Sequence, residues 1–222
     1  MPNLNAEQHF AQAPLSVNTE SSVFDRSTNW KGTFDAGQLV PFLVDEALPG
    51  DVYNGKITEL IRQTGLIAPV MDNLRADTAV FFVPNRMLWE HWKQFCGEND
   101  VSEWTQTTEY TIPTLDCAMT TTVGQNTVQL RKTGDVPHCM GIPLPFNNTG
   151  AVYTYAKTMG NYNVNALPFR AYRKIWNEYW RDQNTQAPKL INYGDTETDS
   201  SYYDLLPVNR IHDYFGSCLP ST

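Results

Sequence analysis

Two prolines interrupt an apolar run near the start of the chain, and this interruption limits the place that the run can take in a fold. The run reads Leu-Val-Pro-Phe-Leu-Val-Asp-Glu-Ala-Leu-Pro-Gly-Asp at 39–51. Pro41 has no N–H to donate to a sheet ladder, which favours an edge or crossing strand within residues 34–44, and Leu-Pro-Gly-Asp at 48–51 is a turn. Phe-Asp pairs at 24–25 and 34–35 precede the run, and the whole region carries no catalytic signature.

This region, residues 22–51, resembles the N-terminal part of the major capsid proteins of microviruses, the small icosahedral single-stranded DNA phages, and of the gokushovirus branch in particular. Further blocks follow in the order that the family keeps. They are Pro-Val-Met-Asp-Asn-Leu at 69–74, Phe-Phe-Val-Pro-Asn-Arg-Met-Leu-Trp at 81–89, Leu-Pro-Phe-Arg-Ala-Tyr at 167–172, Ile-Trp-Asn-Glu-Tyr-Trp-Arg-Asp-Gln at 175–183 and Arg-Ile-His-Asp-Tyr-Phe-Gly-Ser-Cys-Leu-Pro at 210–220. One block alone is weak evidence, whereas the ordered set is specific.

The resemblance implies a mainly β protein, a viral jelly roll whose long inter-strand loops carry a few helices. It implies a structural subunit, not an enzyme, that self-assembles through loop and arm contacts into the homo-oligomeric shell of a T=1 icosahedral capsid enclosing circular single-stranded DNA. The implied location is the virion, after assembly in the host bacterial cytoplasm. Spike proteins, small basic DNA-packaging proteins and packaged single-stranded DNA on the inner face are the implied partners, with no membrane.

The family's last block is followed by a long remainder that this chain lacks. We therefore expect residues 22–222 to be the N-terminal part of a jelly-roll domain with loop insertions, and the jelly roll to be incomplete. Missing strands leave unpaired edges and exposed apolar faces. Residues 1–21 are polar and predict a flexible arm that orders on contact, although an ordinary frayed terminus explains them equally well.

Composition excludes several classes of protein. The chain has 24 acidic and 16 basic residues, a formal charge of -8, so it has no net basic footprint for nucleic acid. The apolar share of 41% and the aromatic share of 12% are too high for a disordered chain. No run is long enough to span a membrane, and the N-terminus lacks the features of a signal peptide. The four scattered cysteines are predicted to be free thiols, mostly buried.

Periodicity predicts several secondary-structure elements. Alternating apolar residues predict a strand at 74–83, and the resemblance favours a strand over a helix at the ambiguous 56–62. Apolar residues at helical spacing predict a helix at 85–96 and a second at 168–182. The polar residues 183–200 predict a surface loop.

The predicted helix at 168–182 is the strongest interaction candidate. Its aromatic stripe consists of Phe169, Tyr172, Trp176, Tyr179 and Trp180. Such a stripe belongs either to the core or to a subunit contact, and the two alternatives are nearly balanced. Arg170 and Arg173 lie off the stripe, where they either face DNA phosphates or are simply solvated.

The Phe-Asp pairs are further assembly candidates. Phe24 and Phe34 would anchor the arm by burying their rings, while Asp25 and Asp35 accept backbone N–H groups. Arg26 offers an ion pair to a neighbouring subunit, and Arg86 offers a contact after the strand end. Local turn chemistry explains the pairs slightly better.

Signatures of enzymes, cofactors and metals are weak. His138 and Cys139 are the only adjacent His/Cys pair, and no metal-ligand spacing or phosphate-binding loop occurs. We predict no catalytic residues, no metal and no cofactor. The alternative function is a stand-alone β-sandwich module that binds carbohydrate or a host surface, with loop aromatics such as Trp30, Trp104 and Tyr110 stacking on sugar rings.

Overall fold

The computed structural model describes residues 20–98, 108–117, 120–123, 126–129, 131–144, 163–196 and 200–209. The chain divides into two units, Met1–Trp30 and Lys31–Thr222. In the first unit, residues 20–30 are extended and mostly exposed. The elements of the second unit are, in chain order, a 3₁₀ turn (Asn85–Met87), helix α1 (Trp92–Phe95), strands β1 (Thr114–Asp116), β2 (Thr120–Val123) and β3 (Asn126–Gln129), helix α2 (Val136–Cys139), strand β4 (Asn163–Asn165), helix α3 (Leu167–Ile175), a π-helical turn (Trp176–Trp180) and a second 3₁₀ turn (Ser200–Tyr203).

The strands form two small antiparallel sheets. In one, β1 pairs with β4 so that Leu115 lies opposite Val164; in the other, β2 and β3 form a hairpin. The described part of the chain is mostly non-helical, in agreement with the predicted mainly β class. Among the described residues, no helix has the length and apolar character needed to cross a bilayer.

Helix α3 and the π-helical turn together confirm the predicted helix at 168–182, with bounds of 167–180. Pro168 is the second helical residue, where its missing N–H costs no intrahelical hydrogen bond, and the Asn165 side chain accepts from the Leu167 N–H at 2.9 Å. At the other end the N–H of Arg181 donates to the Trp176 carbonyl five residues before it, the hydrogen bond that defines a π-helical turn.

The core lies between α3, β1, α2 and the chain after residue 200. Its largest cluster combines buried residues from in and around these four regions: Leu115, Cys117, Val136, Ala166, Phe169, Tyr172, Trp176, Tyr202, Tyr203 and Leu206. A second cluster places Leu88 and Trp89 against Leu167 at the start of α3. The aromatic stripe of α3 therefore reaches the core through Phe169, Tyr172 and Trp176, which confirms the core alternative for these three side chains.

A short backbone pairing ties the N-terminal region to this core. Gln38 and Pro207 form an antiparallel bridge, flanked by a hydrogen bond of 2.9 Å from the Leu39 N–H to the Leu206 carbonyl. The Tyr172 hydroxyl donates to the Leu39 carbonyl and accepts from the Leu206 N–H, both at 2.8 Å. The predicted edge or crossing strand is therefore present only as the Gln38–Pro207 bridge in the described part of the chain.

Three predicted elements are wrong in extent or kind. Residues 56–62 and 74–83 form no strand, because no backbone hydrogen bond joins them to another described residue. The helix at 85–96 is split in two because the Glu90 N–H donates to the Tyr193 carbonyl at 3.1 Å, which replaces an intrahelical bond. The predicted loop at 183–200 is confirmed over 183–196, whereas Ser200 begins the second 3₁₀ turn.

The bridging role of Tyr172 predicts a specific loss of stability. Tyr172→Phe removes one donor and one acceptor inside the core and should lower the free energy of unfolding by about 1–3 kcal/mol. Tyr179→Phe is the matched control on the same helical segment, since Tyr179 is 65% exposed. It should change stability by less than about 0.5 kcal/mol. Urea unfolding followed by tryptophan fluorescence measures both, and equal effects would contradict this role.

Candidate assembly interface

Helix α3 carries Arg170 into the interior of the chain. The residue is fully buried, and its guanidinium group donates to backbone carbonyls of two separate segments. Nη1 donates to Leu88 at 3.3 Å, while Nη2 donates to Gly194 at 3.0 Å and to Thr196 at 3.4 Å. Burial lowers the pKa of Arg170, opposed by attraction to Tyr202 and Asp195. Arg170 thereby joins the 3₁₀ turn and the 190–196 loop to the helix.

Arg173 makes a similar set of contacts one turn further along. It is 6% exposed, and its guanidinium carbon lies 3.3 Å from the centre of the Tyr202 ring, a cation–π contact. Its Nη1 donates to the Leu190 carbonyl at 2.8 Å and its Nη2 to the Ser201 hydroxyl at 2.7 Å. The side chain therefore links α3 to both ends of the following loop.

The prediction that Arg170 and Arg173 lie on a solvated helix face is wrong. Contact with DNA phosphates requires exposed guanidinium groups, and these two donate to oxygen atoms within the chain. The hydrogen-bond acceptors come from segments far from α3 in sequence. Helical periodicity alone therefore contained no signal that the two charges are buried.

The two tryptophans proposed for assembly differ in environment. Trp176 is 2% exposed and its indole N–H donates to the Pro207 carbonyl at 2.6 Å, so it faces the interior of the chain. Trp180 is half-buried and packs at the edge of the same cluster. The exposed member of the stripe is Tyr179, whose ring centre lies 4.9 Å from that of Phe81.

The Phe-Asp pairs and Arg86 lie at the surface. Phe24 is 77% exposed, so the predicted burial of its ring is absent from the described chain. Asp25 accepts from the Ser27 hydroxyl at 2.5 Å and from the Ser27 N–H at 2.9 Å, and these hydrogen bonds lower the pKa of its carboxyl. The local turn interpretation is therefore confirmed for Asp25. The neighbouring Arg26 and the other three candidates are also exposed: Phe34, Asp35 and Arg86.

A long apolar stretch between these sites is also exposed. Residues 43–82, here called the exposed segment, contain large hydrophobic side chains that face solvent. The most exposed are Val52 at 84%, Leu60 at 88%, Ile67 at 109%, Met71 at 92%, Val80 at 76% and Phe82 at 79%. Exposed large apolar side chains concentrated in one segment are typical of an interaction surface. The sequence missed it as a surface because alternation predicted strands with a buried face.

Asp195 joins the loop after α3 to the region around α1. Its carboxylate accepts from the Trp89 indole N–H at 2.6 Å and lies 2.9 Å from Nδ1 of His91. The His91 ring stacks on Tyr110 with centres 4.5 Å apart. Burial raises the pKa of Asp195, but the hydrogen bonds from His91 and Trp89 outweigh it, and the pKa lies below its ordinary value.

The His138–Cys139 pair is structural. Asp135 caps α2 by accepting from the His138 N–H at 2.8 Å, and Nδ1 of His138 accepts from the Gly134 N–H at 3.1 Å. Burial raises the pKa of Cys139, and raises that of Cys117 to about 11, which makes both thiols poor nucleophiles. Both are free and buried, as predicted, whereas Cys96 is exposed. Within the described ranges no cluster of three potential metal ligands occurs.

Two of the aromatics considered for sugar binding are described by the structure. Trp30 is half-buried, and one face of Tyr110 is covered by His91. Trp104 lies outside the described residues, as do the predicted arm up to residue 19 and the last sequence block at 210–220.

Comparison with known proteins gives a family match and several similar capsid proteins. A family model described as capsid protein (F protein) matches residues 13–222. Capsid protein VP1 of Chlamydia phage 1 is 35% identical over 236 residues, covering 96% of this chain and 35% of the relative. VP1 of Bdellovibrio phage phiMH2K is 37% identical over 214 residues (96% and 36%), and VP1 of Spiroplasma virus 4 is 28% identical over 200 residues (85% and 32%). The chain spans about a third of the length of these relatives.

The family match defines the class of protein as a structural one. The chain belongs to the capsid protein (F protein) family, and the resemblance to microvirus capsid proteins is confirmed. Its relatives have a structural role and are not enzymes.

Replacing Arg170 should detach the loop from the helix. Arg170→Met keeps the approximate volume but leaves the carbonyls of Leu88 and Gly194 without their donor, at an expected cost of about 3 kcal/mol in the free energy of unfolding. Arg86→Met is the control, because Arg86 is exposed. It should cost less than about 0.5 kcal/mol. Equal losses in chemical denaturation would show that the carbonyl contacts contribute nothing.

Asp195 predicts a dependence of stability on acid pH. Its folded-state pKa lies below the ordinary 3.8, so its contribution is present above that value and disappears as pH falls through the folded-state pKa. Because the side chain is 47% exposed, Asp195→Asn should cost only about 1 kcal/mol at pH 7. The difference in melting temperature between the parent and Asp195→Asn should shrink below pH 4. A difference independent of pH would contradict the assignment.

Proposed function

We propose that this chain is a structural subunit of a T=1 icosahedral phage capsid that encloses circular single-stranded DNA. The observation that carries the proposal is the family match over residues 13–222. In the proposal the chain contributes the N-terminal part of a viral jelly roll, with residues 22–222 in the domain and residues 1–21 as its arm. The helices and loops between strands supply contacts to neighbouring copies.

The exposed segment supports this assembly role. A shell subunit must present apolar surface to partners that arrive after its own core has formed, and residues 43–82 present such a surface. Phe24, Phe34 and Arg86 are proposed as direct contacts, since their side chains are exposed. Arg170, Arg173 and Trp176 act indirectly by holding the loops that carry the contact surface. Many modest contacts in a closed shell add up to high stability.

Net charge supports a division of labour in DNA packaging. With 24 acidic against 16 basic residues, this chain cannot neutralise packaged DNA by bulk charge. A small basic packaging protein on the inner face supplies the positive charge in the proposal, and a spike protein occupies the outer surface. Assembly takes place in the host bacterial cytoplasm, and the product is the virion.

Mass spectrometry of purified particles tests the proposal. Particles from the phage that encodes this chain are banded on a density gradient after nuclease treatment. Peptides from 22–51 and 167–183 should be recovered among the most abundant proteins of the particle, in constant ratio to nuclease-protected circular single-stranded DNA. Recovery of these peptides only from soluble fractions, with particles made of other proteins, would contradict the capsid role.

A further inference from the structure

The sequence contains a single Asn-Gly dipeptide, Asn54-Gly55, and it lies in the exposed segment. Asn-Gly is typical of two-residue hairpin loops, whose type I′ turn gives both residues a positive φ. The structure has a different local conformation: the described residues 51–66 form no helix, strand or turn, and Gly55 is not one of the described glycines with a left-handed backbone. A tight hairpin therefore does not restrain this dipeptide.

Both residues of the dipeptide are open to solvent. Asn54 and Gly55 are exposed, as are the adjoining Tyr53 and Lys56. Among the described residues, no heavy atom beyond those of the adjoining residues lies within 4 Å of the position that a Cβ would take on Gly55. Glycine itself has no Cβ to shield its nitrogen or to restrict its φ and ψ. The Gly55 nitrogen can therefore approach the side-chain carboxamide of Asn54 at little steric cost.

We propose that Asn54 is a site of spontaneous deamidation in the free chain, a covalent modification that goes beyond the proposed capsid function and does not depend on it. The Gly55 backbone nitrogen loses its proton to solvent and attacks Cγ of Asn54. A bond forms between these two atoms, and the bond from Cγ to the side-chain nitrogen breaks. That nitrogen gains a proton from solvent and leaves as ammonia, so the chain is left with a five-membered succinimide ring.

Water then opens the succinimide ring. It adds to one of the two ring carbonyl carbons, the bond from that carbon to the Gly55 nitrogen breaks, and the nitrogen regains a proton. Opening at Cγ gives an aspartyl residue, whereas opening at the backbone carbonyl carbon gives an isoaspartyl residue whose main chain runs through the former side chain. Water is the one co-reactant, and no atom is oxidised or reduced.

The modification changes both the charge and the shape of the exposed segment. Either product replaces a neutral amide by a carboxylate beside Lys56, which adds one negative charge to the formal -8 of the chain. The isoaspartyl product also adds a methylene group to the main chain, shortly after the turn in which the Asp51 N–H donates to the Leu48 carbonyl at 3.1 Å. Neither residue of the dipeptide belongs to the two core clusters, so the core should remain intact.

Peptide mapping by mass spectrometry tests the proposal. The purified chain is incubated at mildly alkaline pH in heavy-oxygen water and transferred to ordinary water before digestion with trypsin. Tryptic peptide 32–56 has Asn54 as its single asparagine, and peptide 63–75 has Asn73. Peptide 32–56 should accumulate aspartyl and isoaspartyl forms, each with one heavy oxygen from solvent. Asn73 is the internal control, since it is exposed but followed by Leu74, whose side chain crowds the attacking nitrogen.

Two glycine variants test the geometry of the attack. Gly55→Val should slow the loss of the Asn54 amide at least about tenfold, because a β-branched side chain restricts the backbone beside the reacting nitrogen. Gly65→Val is the matched control, since Gly65 is equally exposed and uncrowded but follows Thr64 instead of an asparagine. It should leave the rate at Asn54 within about twofold of the parent. Unchanged tryptophan fluorescence in both variants confirms that the core is intact.

Three results would overturn the proposal: an Asn54 amide that lasts as long as that of Asn73, a product without isoaspartate or solvent oxygen, or equal rates in Gly55→Val and Gly65→Val. The capsid role is judged separately by the composition of purified particles, and it stands whichever of these results is obtained.

Discussion

The guanidinium groups of Arg170 and Arg173 need acceptors inside the chain, because burial removes the water that would otherwise solvate them. Those acceptors are oxygen atoms near Leu88, along the 190–196 loop and at Ser201. Each hydrogen bond therefore fixes a loop against α3. The aromatic side chains Phe169, Tyr172 and Trp176 of the same helical segment pack in the core. The described fold is organised by one helix that binds its neighbouring loops through buried charge and apolar contact at once.

This anchored region contrasts with the exposed segment that precedes it. Around α3 the side chains of Arg170, Tyr172 and Arg173 are hydrogen-bonded within the chain, whereas residues 43–82 leave apolar side chains in solvent. In the proposed capsid role the two properties are complementary. The anchored region would give the subunit a defined shape, and the exposed segment would supply the apolar surface that later contacts bury.

The sequence predicted those features that depend on local pattern. The aromatic periodicity at 168–182 identified the central helix. The sequence could not predict the burial of Arg170, since the acceptors of its guanidinium hydrogen bonds lie up to 82 residues away along the chain. It predicted a strand at 74–83 from alternation, but a strand also requires a backbone partner, which alternation does not supply.

Hydrogen–deuterium exchange on the isolated chain tests the central contrast most directly. The account predicts slow exchange for the amides of α3 that are hydrogen-bonded around Arg170 and Tyr172, and fast exchange throughout residues 54–83, where no backbone bond to a described residue is present. Measurement by mass spectrometry with overlapping peptides separates the two regions. Slow exchange in 54–83 in a monomeric sample, or fast exchange throughout α3, would contradict an anchored helix that follows a segment without backbone hydrogen bonds to described residues.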